Sequence, residues 1–147
     1  MIESLLSRLF GDPSTETMPA EDCRLALAAL LVRAARADDD YALVEAETID
    51  RVLAERYGLD AAAAAALRAE AEEAEAKAPD TVRFTRVIKD AVPYEERDKV
   101  AEALWRVVLA DDSRGSDENG FLRLVVSLIG VSDVDSGLAR QRAMQSD

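Results

Sequence analysis

The sequence contains no histidine and a single cysteine. The first absence removes the commonest general base and the commonest ligand of zinc and other transition metals. The second removes the thiolate sets of structural zinc and any intramolecular disulfide. Serine, threonine and Cys23 therefore have no imidazole partner for nucleophilic catalysis. The six glycines form neither a GxGxxG run nor a phosphate-binding loop. Four prolines and 5% aromatic residues argue against a β-sandwich or barrel. No apolar run approaches the roughly 20 residues of a membrane-spanning helix. Met1 to Phe10 carries neither the basic stretch nor the cleavage site of a secretory signal. These absences predict a soluble, intracellular chain that is not an enzyme. Cys23, inside a helical pattern, reads as a half-buried filler in a reducing compartment.

What is abundant points the same way. Apolar residues make up 49% of the 147 residues and charged residues 33%, the mix of an ordinary globular domain. Alanine, leucine, glutamate and arginine favour helix. With 18 basic and 30 acidic side chains the formal charge is −12, which repels nucleic acid and anionic membrane surfaces. Metal cations and basic protein surfaces are the natural attractants.

Apolar spacing predicts helices throughout and no strand, so the fold class is all-α. Ile2, Leu5, Leu6, Leu9 and Phe10 give a short amphipathic helix ended by Gly11-Asp12-Pro13. It could dock on the domain, on a second copy, or on a membrane. Residues 1–19 are thus an N-terminal helix and linker, and 20–147 form the helical domain. Within it helices are predicted at about 20–37 and 43–57, the second stopped by Gly58. Asp60 caps an alanine-rich helix that Pro79 closes. Another carries Phe84, Val87 and Ile88. Pro93-Tyr94-Glu95-Glu96 opens the next, with Val100, Leu104 and Val107 inside. Leu122, Val125 and Ile129 mark a further one, ended by Gly130. A last, weak helix follows Ser132 and Asp135, which resemble a capping box.

A shift of 73 residues aligns two helix–loop–helix segments without a gap, with nine identities over positions 24 to 53. Arg24 meets Arg97, Leu31 meets Leu104, Arg33 meets Arg106, and Val52 meets Val125. The simplest account is a duplicated helical hairpin, with the segment 58–92 inserted between the copies. Each copy places two aspartates where a helix ends and a glutamate seven residues beyond the first: Asp38, Asp39 and Glu45, then Asp111, Asp112 and Glu118. Negative charge at a helix C-terminus opposes the helix dipole, by about 0.3–1 kcal/mol each. Three compensations are open. The aspartates can cap the following helix, pair with Arg33, Arg36, Arg106 or Arg114, or ligate a hard divalent cation such as calcium through carboxylate oxygens. Position by position this is not an EF-hand, because Ile49 stands where its bidentate glutamate belongs. The segment 38–75 holds twelve acidic residues against three arginines. Its cluster Glu70, Glu72, Glu73 and Glu75 reads as a solvated helix face or a surface for a basic partner.

Several segments together resemble the TerB-like tellurite-resistance proteins. They are Leu30-Leu31-Val32-Arg33-Ala34-Ala35-Arg36-Ala37-Asp38, Arg83-Phe84-Thr85-Arg86-Val87-Ile88, Tyr94-Glu95-Glu96-Arg97, and Glu102-Ala103-Leu104-Trp105-Arg106 running on to Asp111. The likeness spans roughly 20–143. It implies a compact helical fold of seven or eight helices and a bacterial cytoplasmic protein tied to tellurite resistance and stress response. It further implies divalent-cation binding in some members, or work beside membrane proteins. This chain departs from the family in having Asp39 and Asp112 where glycine is usual. It also has Asp117-Glu118-Asn119-Gly120 where a Tyr-Glu-Glu-His run is frequent. The leading expectation is a non-enzymatic binding module that holds a cation or a basic protein through its acidic turns. The alternative is a structural or oligomeric adaptor that uses the N-terminal helix to engage a partner or a membrane-associated protein.

Overall fold

Helix α1, Ala20–Arg36, is apolar on every side between Leu25 and Val32, and a helix stretch of that kind is stable only when surrounded. Leu25 through Val32 are each 2% exposed or less. In the computed structural model, which describes residues 5–6, 20–37, 41, 43–78, 81–110 and 119–145, the helices packed around α1 account for that burial. They are α2 (Leu43–Tyr57), α3 (Ala61–Lys77), α4 (Thr81–Ala91) and α5 (Arg97–Leu109). Two more follow, α6 (Asn119–Leu128) and α7 (Asp133–Gln145). The described residues contain no strand, so the fold is all-α as the apolar spacing predicts. No helix among them is long and apolar enough to cross a membrane.

Local chemistry sets the helix ends. Asp60 accepts a bond from the Ala63 N–H at 2.7 Å, satisfying an orphan donor of α3. Ser132 Oγ does the same for the Asp135 N–H at 3.1 Å, opening α7. Gly58 and Gly130 take φ of 64° and 87°, a left-handed conformation that glycine enters without a side-chain clash. Beyond each, the chain folds back: Leu59 N–H donates to the Ala54 carbonyl at 3.1 Å, and Val131 N–H to Val126 at 3.0 Å. One start differs from expectation. Tyr94–Glu96 form a 3₁₀ turn after Pro93, and the α-helix proper begins at Arg97. A proline-led first turn without a side-chain cap readily tightens in this way.

The duplication is larger than a hairpin. Matched positions share their burial: Ala28 and Ala101, Leu31 and Leu104, Ile49 and Leu122, Val52 and Val125 are all in the core. The match continues with one residue deleted. Gly58 and Asp60 correspond to Gly130 and Ser132, and buried Ala64, Leu67 and Ala71 to buried Ser136, Ala139 and Ala143. Helix α3 lies on α1 as α7 lies on α5. The segment 58–92 is therefore not an insert of two helices. α3 belongs to the first three-helix unit, α7 closes the second, and α4 alone joins them. The slip of one residue and the small side chains of α7 hide this in the sequence. α7 holds its place through small residues that let it approach closely, and through the Trp105 Nε1–H bond to Ser136 Oγ at 3.1 Å.

Of the N-terminal segment, Leu5 is fully buried in the chain's own core and Leu6 packs against it. At Leu5 that segment docks on the domain. The remaining residues of 1–19 lie outside the described ones.

Candidate functional site

Of the six candidate ligands, Asp38, Asp39, Asp111, Asp112 and Glu118 lie outside the described residues, as does Arg114. Glu45 is described, and it is fully buried in the first turn of α2. A carboxylate there lies at the positive end of the helix dipole, which favours its charge. Burial still requires partners for its oxygens. Among the described residues no three carboxylate or thiol side chains are grouped closely enough to hold a metal ion.

Both flanks of the first acidic turn are fixed to the last turns of α3. On the near side, Arg36 Nη1 donates to Glu75 Oε2 at 2.9 Å and to the Glu72 carbonyl at 3.4 Å. On the far side, Tyr41 donates its hydroxyl proton to Glu72 Oε2 at 2.7 Å. The Arg36 guanidinium lies over the Tyr41 ring, 5.3 Å from its centre, so the two flanks also touch each other. Arg68 closes the network, with Nη1 on Glu72 Oε2 at 2.9 Å and Nε on Asp50 Oδ1 at 2.6 Å. Burial, and then the bond to Glu72, push the Tyr41 hydroxyl well above its ordinary pKa. The bond to Asp50 is the main reason that Arg68 is held still more firmly protonated.

Arg33, one turn before Arg36, serves the α3–α4 connection. Its guanidinium reaches Glu75 Oε1 at 3.4 Å, the carbonyls of Glu75 and Ala78 at 3.4 and 3.3 Å, and Thr81 Oγ1 at 3.4 Å. Its other face covers the buried Phe84 ring, 4.8 Å from the centre. A cation there meets the negative end of α3 and satisfies carbonyls that no further helical turn can reach. Its counterpart Arg106 instead crosses to the first unit, donating to Glu55 Oε2 of α2 at 2.8 Å.

Among the described residues Arg33 and Arg36 pair with Glu75 and Arg106 with Glu55; the aspartates expected to take arginines lie outside them. And the cluster at the end of α3 is not simply a solvated face: Glu72 and Glu75 bind α1, Tyr41 and Arg68, while Glu73 pairs with Lys77 on the surface at 3.1 Å. The spacing of Arg68 and Glu72, four apart on one helix, was the available signal. The long-range partners Arg36 and Tyr41 left none.

A second feature lies between the two units. A cleft of about 610 Å³ opens between the end of α2 and one side of α5, with Arg142 of α7 at its edge. Arg106–Glu55 and Arg142–Glu102, the latter at 2.5 Å, bridge across it. Two inner atoms among its lining side chains, Arg56 Nε and Asp98 Oδ1, are shielded from solvent and have no hydrogen-bond partner.

The comparisons with known proteins come down to one finding. No curated protein and no solved structure matches the chain. The family described as tellurite resistance protein TerB matches it over residues 24–141, from the first turns of α1 to the last turns of α7. That span holds both three-helix units and both acidic turns, and this chain belongs to the TerB family.

Proposed function

We propose that this protein is a non-enzymatic, cytoplasmic binding module whose acidic turns, Asp38/Asp39/Glu45 and Asp111/Asp112/Glu118, hold a divalent cation such as calcium in the response to tellurite or related stress. The observation behind this reading is the duplication itself: the same two aspartates and one glutamate stand at the same place in both copies of the repeat. A hard cation ligated by oxygens is the chemistry that such repeated carboxylates suit. Calorimetric titration with calcium, magnesium and manganese at physiological salt tests it. Saturable heat that Asp38→Asn and Asp111→Asn diminish supports the reading. No heat with the wild type, or equal heat with the variants, rules it out.

Recruitment of a basic protein is the second reading, favoured by the net −9 carried by residues 38–75. The adaptor reading draws less support, since Leu5 is already buried within the chain.

A further inference from the structure

We propose that the cleft between α2, α5 and α7 binds a small zwitterion, a free amino acid or short peptide offering one ammonium and one carboxylate. Helix α4 packs against α1 of the first unit and α6 of the second, burying Phe84 and Ile88. The duplication relates that groove to one between α5 and α2. No described helix fills this mate; α2 closes onto α5 and leaves the cleft of about 610 Å³. That volume is in the range of small-molecule sites.

The mate groove has also changed chemistry. Along α1, positions 25, 26, 29 and 30 are Leu, Ala, Ala and Leu, all fully buried. The matching positions of α5 are Asp98, Lys99, Glu102 and Ala103, which line the cleft. An apolar occupant would strip water from these charges without replacing it. Arg106 and Arg142 are already paired with Glu55 and Glu102. Lys99 and Glu96 are exposed and make no ion pair among the described residues, Arg56 makes none either, and Asp98 shares Arg142 with Glu102 at 3.6 Å, so the cleft offers charges of both signs. Arg56 and Asp98 each keep one inner atom unbonded, so neither is locked by a full set of partners and each can turn toward a ligand. A pure anion would face the cleft's carboxylates and a chain of charge −12; a pure cation would face its arginines and lysine. A molecule bearing both signs meets a complement for each.

Amide chemical shifts followed through titration of the full chain test this. L-glutamine represents the free amino acid and glycylglycine the short peptide; succinate and putrescine are the single-sign controls. The expected result is saturable shifts at residues 55–57 and 96–106 with glutamine, glycylglycine or both. Which of the two acts identifies the source. Lys99→Glu and Glu96→Lys, both at exposed positions, should each weaken binding about tenfold. Silence with both zwitterions overturns the proposal. So do equal shifts with succinate or putrescine, or affinity unchanged in both variants. None of these outcomes bears on the acidic turns.

Discussion

Replacing Glu75 by glutamine keeps the shape but removes one charge and one of the two acceptor oxygens that Arg33 and Arg36 use, so it tests the charged bonding of the α1–α3 clamp. The Glu75 side chain is 13% exposed and meets Arg33, 15% exposed, at 3.4 Å and Arg36, 34% exposed, at 2.9 Å. At an effective dielectric of about 20, each contact has a gross attraction of about 4 kcal/mol. Desolvation cancels most of it, and exposed pairs retain about 1 kcal/mol at best. The Arg36 contact is open enough to be discounted to that level, and the Arg33 contact is long. A net loss of about 2 kcal/mol is therefore expected. For a chain of this size that lowers Tm by about 4–8 °C. Glu73→Gln is the control, because its pair with Lys77 is 57% exposed on the glutamate side and should matter by less than about 0.5 kcal/mol. Thermal and urea unfolding followed by circular dichroism, with an unchanged urea slope, provide the comparison. Equal effects of Glu75→Gln and Glu73→Gln would show that the clamp is a surface ornament and refute the reasoning.

Other expectations can be checked with the same assays. Phe84→Ala empties a fully buried ring site beneath Arg33 and should cost about 3–5 kcal/mol in urea unfolding. Gly58→Ala, in open space at φ 64°, should cost about 1–2 kcal/mol from backbone conformation alone. Gly130→Ala should cost somewhat more, since its added Cβ would stand 3.3 Å from Arg97 Nη1. Burial, foremost, raises the pKa of Tyr41 and of Tyr57. The unfolded chain then releases these protons first, near pH 10. The tyrosines' contribution to stability is complete below that pH and is lost as pH rises above it. Tyr41→Phe and Tyr57→Phe should flatten the fall in Tm between about pH 9 and 11; an unchanged slope would count against those burial effects.

The elements were legible because their signals are local. Periodic apolar residues, Asp60 and Ser132 as caps, and Gly58 and Gly130 as stops each act within one or two turns of chain. The hairpin repeat was legible because α1 and α5 share a register of core residues. Its extension to α3 and α7 was not, because one residue is missing at the joint and packing on small residues leaves no apolar periodicity. The clamp at the end of α3 was hidden for a different reason. A cluster of glutamates looks alike whether it faces water or three arginines, and only long-range packing decides. The cleft follows from an absence, the helix that α4 supplies in one half and nothing described supplies in the other. No local pattern can announce that.

Whether the two acidic turns would make one cation site or two can be argued from α2. The first turn runs directly into the start of α2 at Leu43, and its flanks are tied to α3. The second begins just after α5, whose last turn carries Arg106, and Arg106 is bound to Glu55 near the other end of α2. Those two points on α2 are separated by roughly 18 Å at 1.5 Å per residue. Ligands of one ion each lie about 2.5 Å from it, so carboxylates held at those two points could not share one. Two independent sites are therefore expected. At about a hundredfold excess over Kd each site adds about 2.7 kcal/mol of stability. Asp38→Asn alone and Asp111→Asn alone should then each remove about half of the calcium-induced rise in Tm, and the double variant should remove nearly all of it. If either single substitution abolishes the whole rise, the turns converge on one ion and the inference from α2 is wrong.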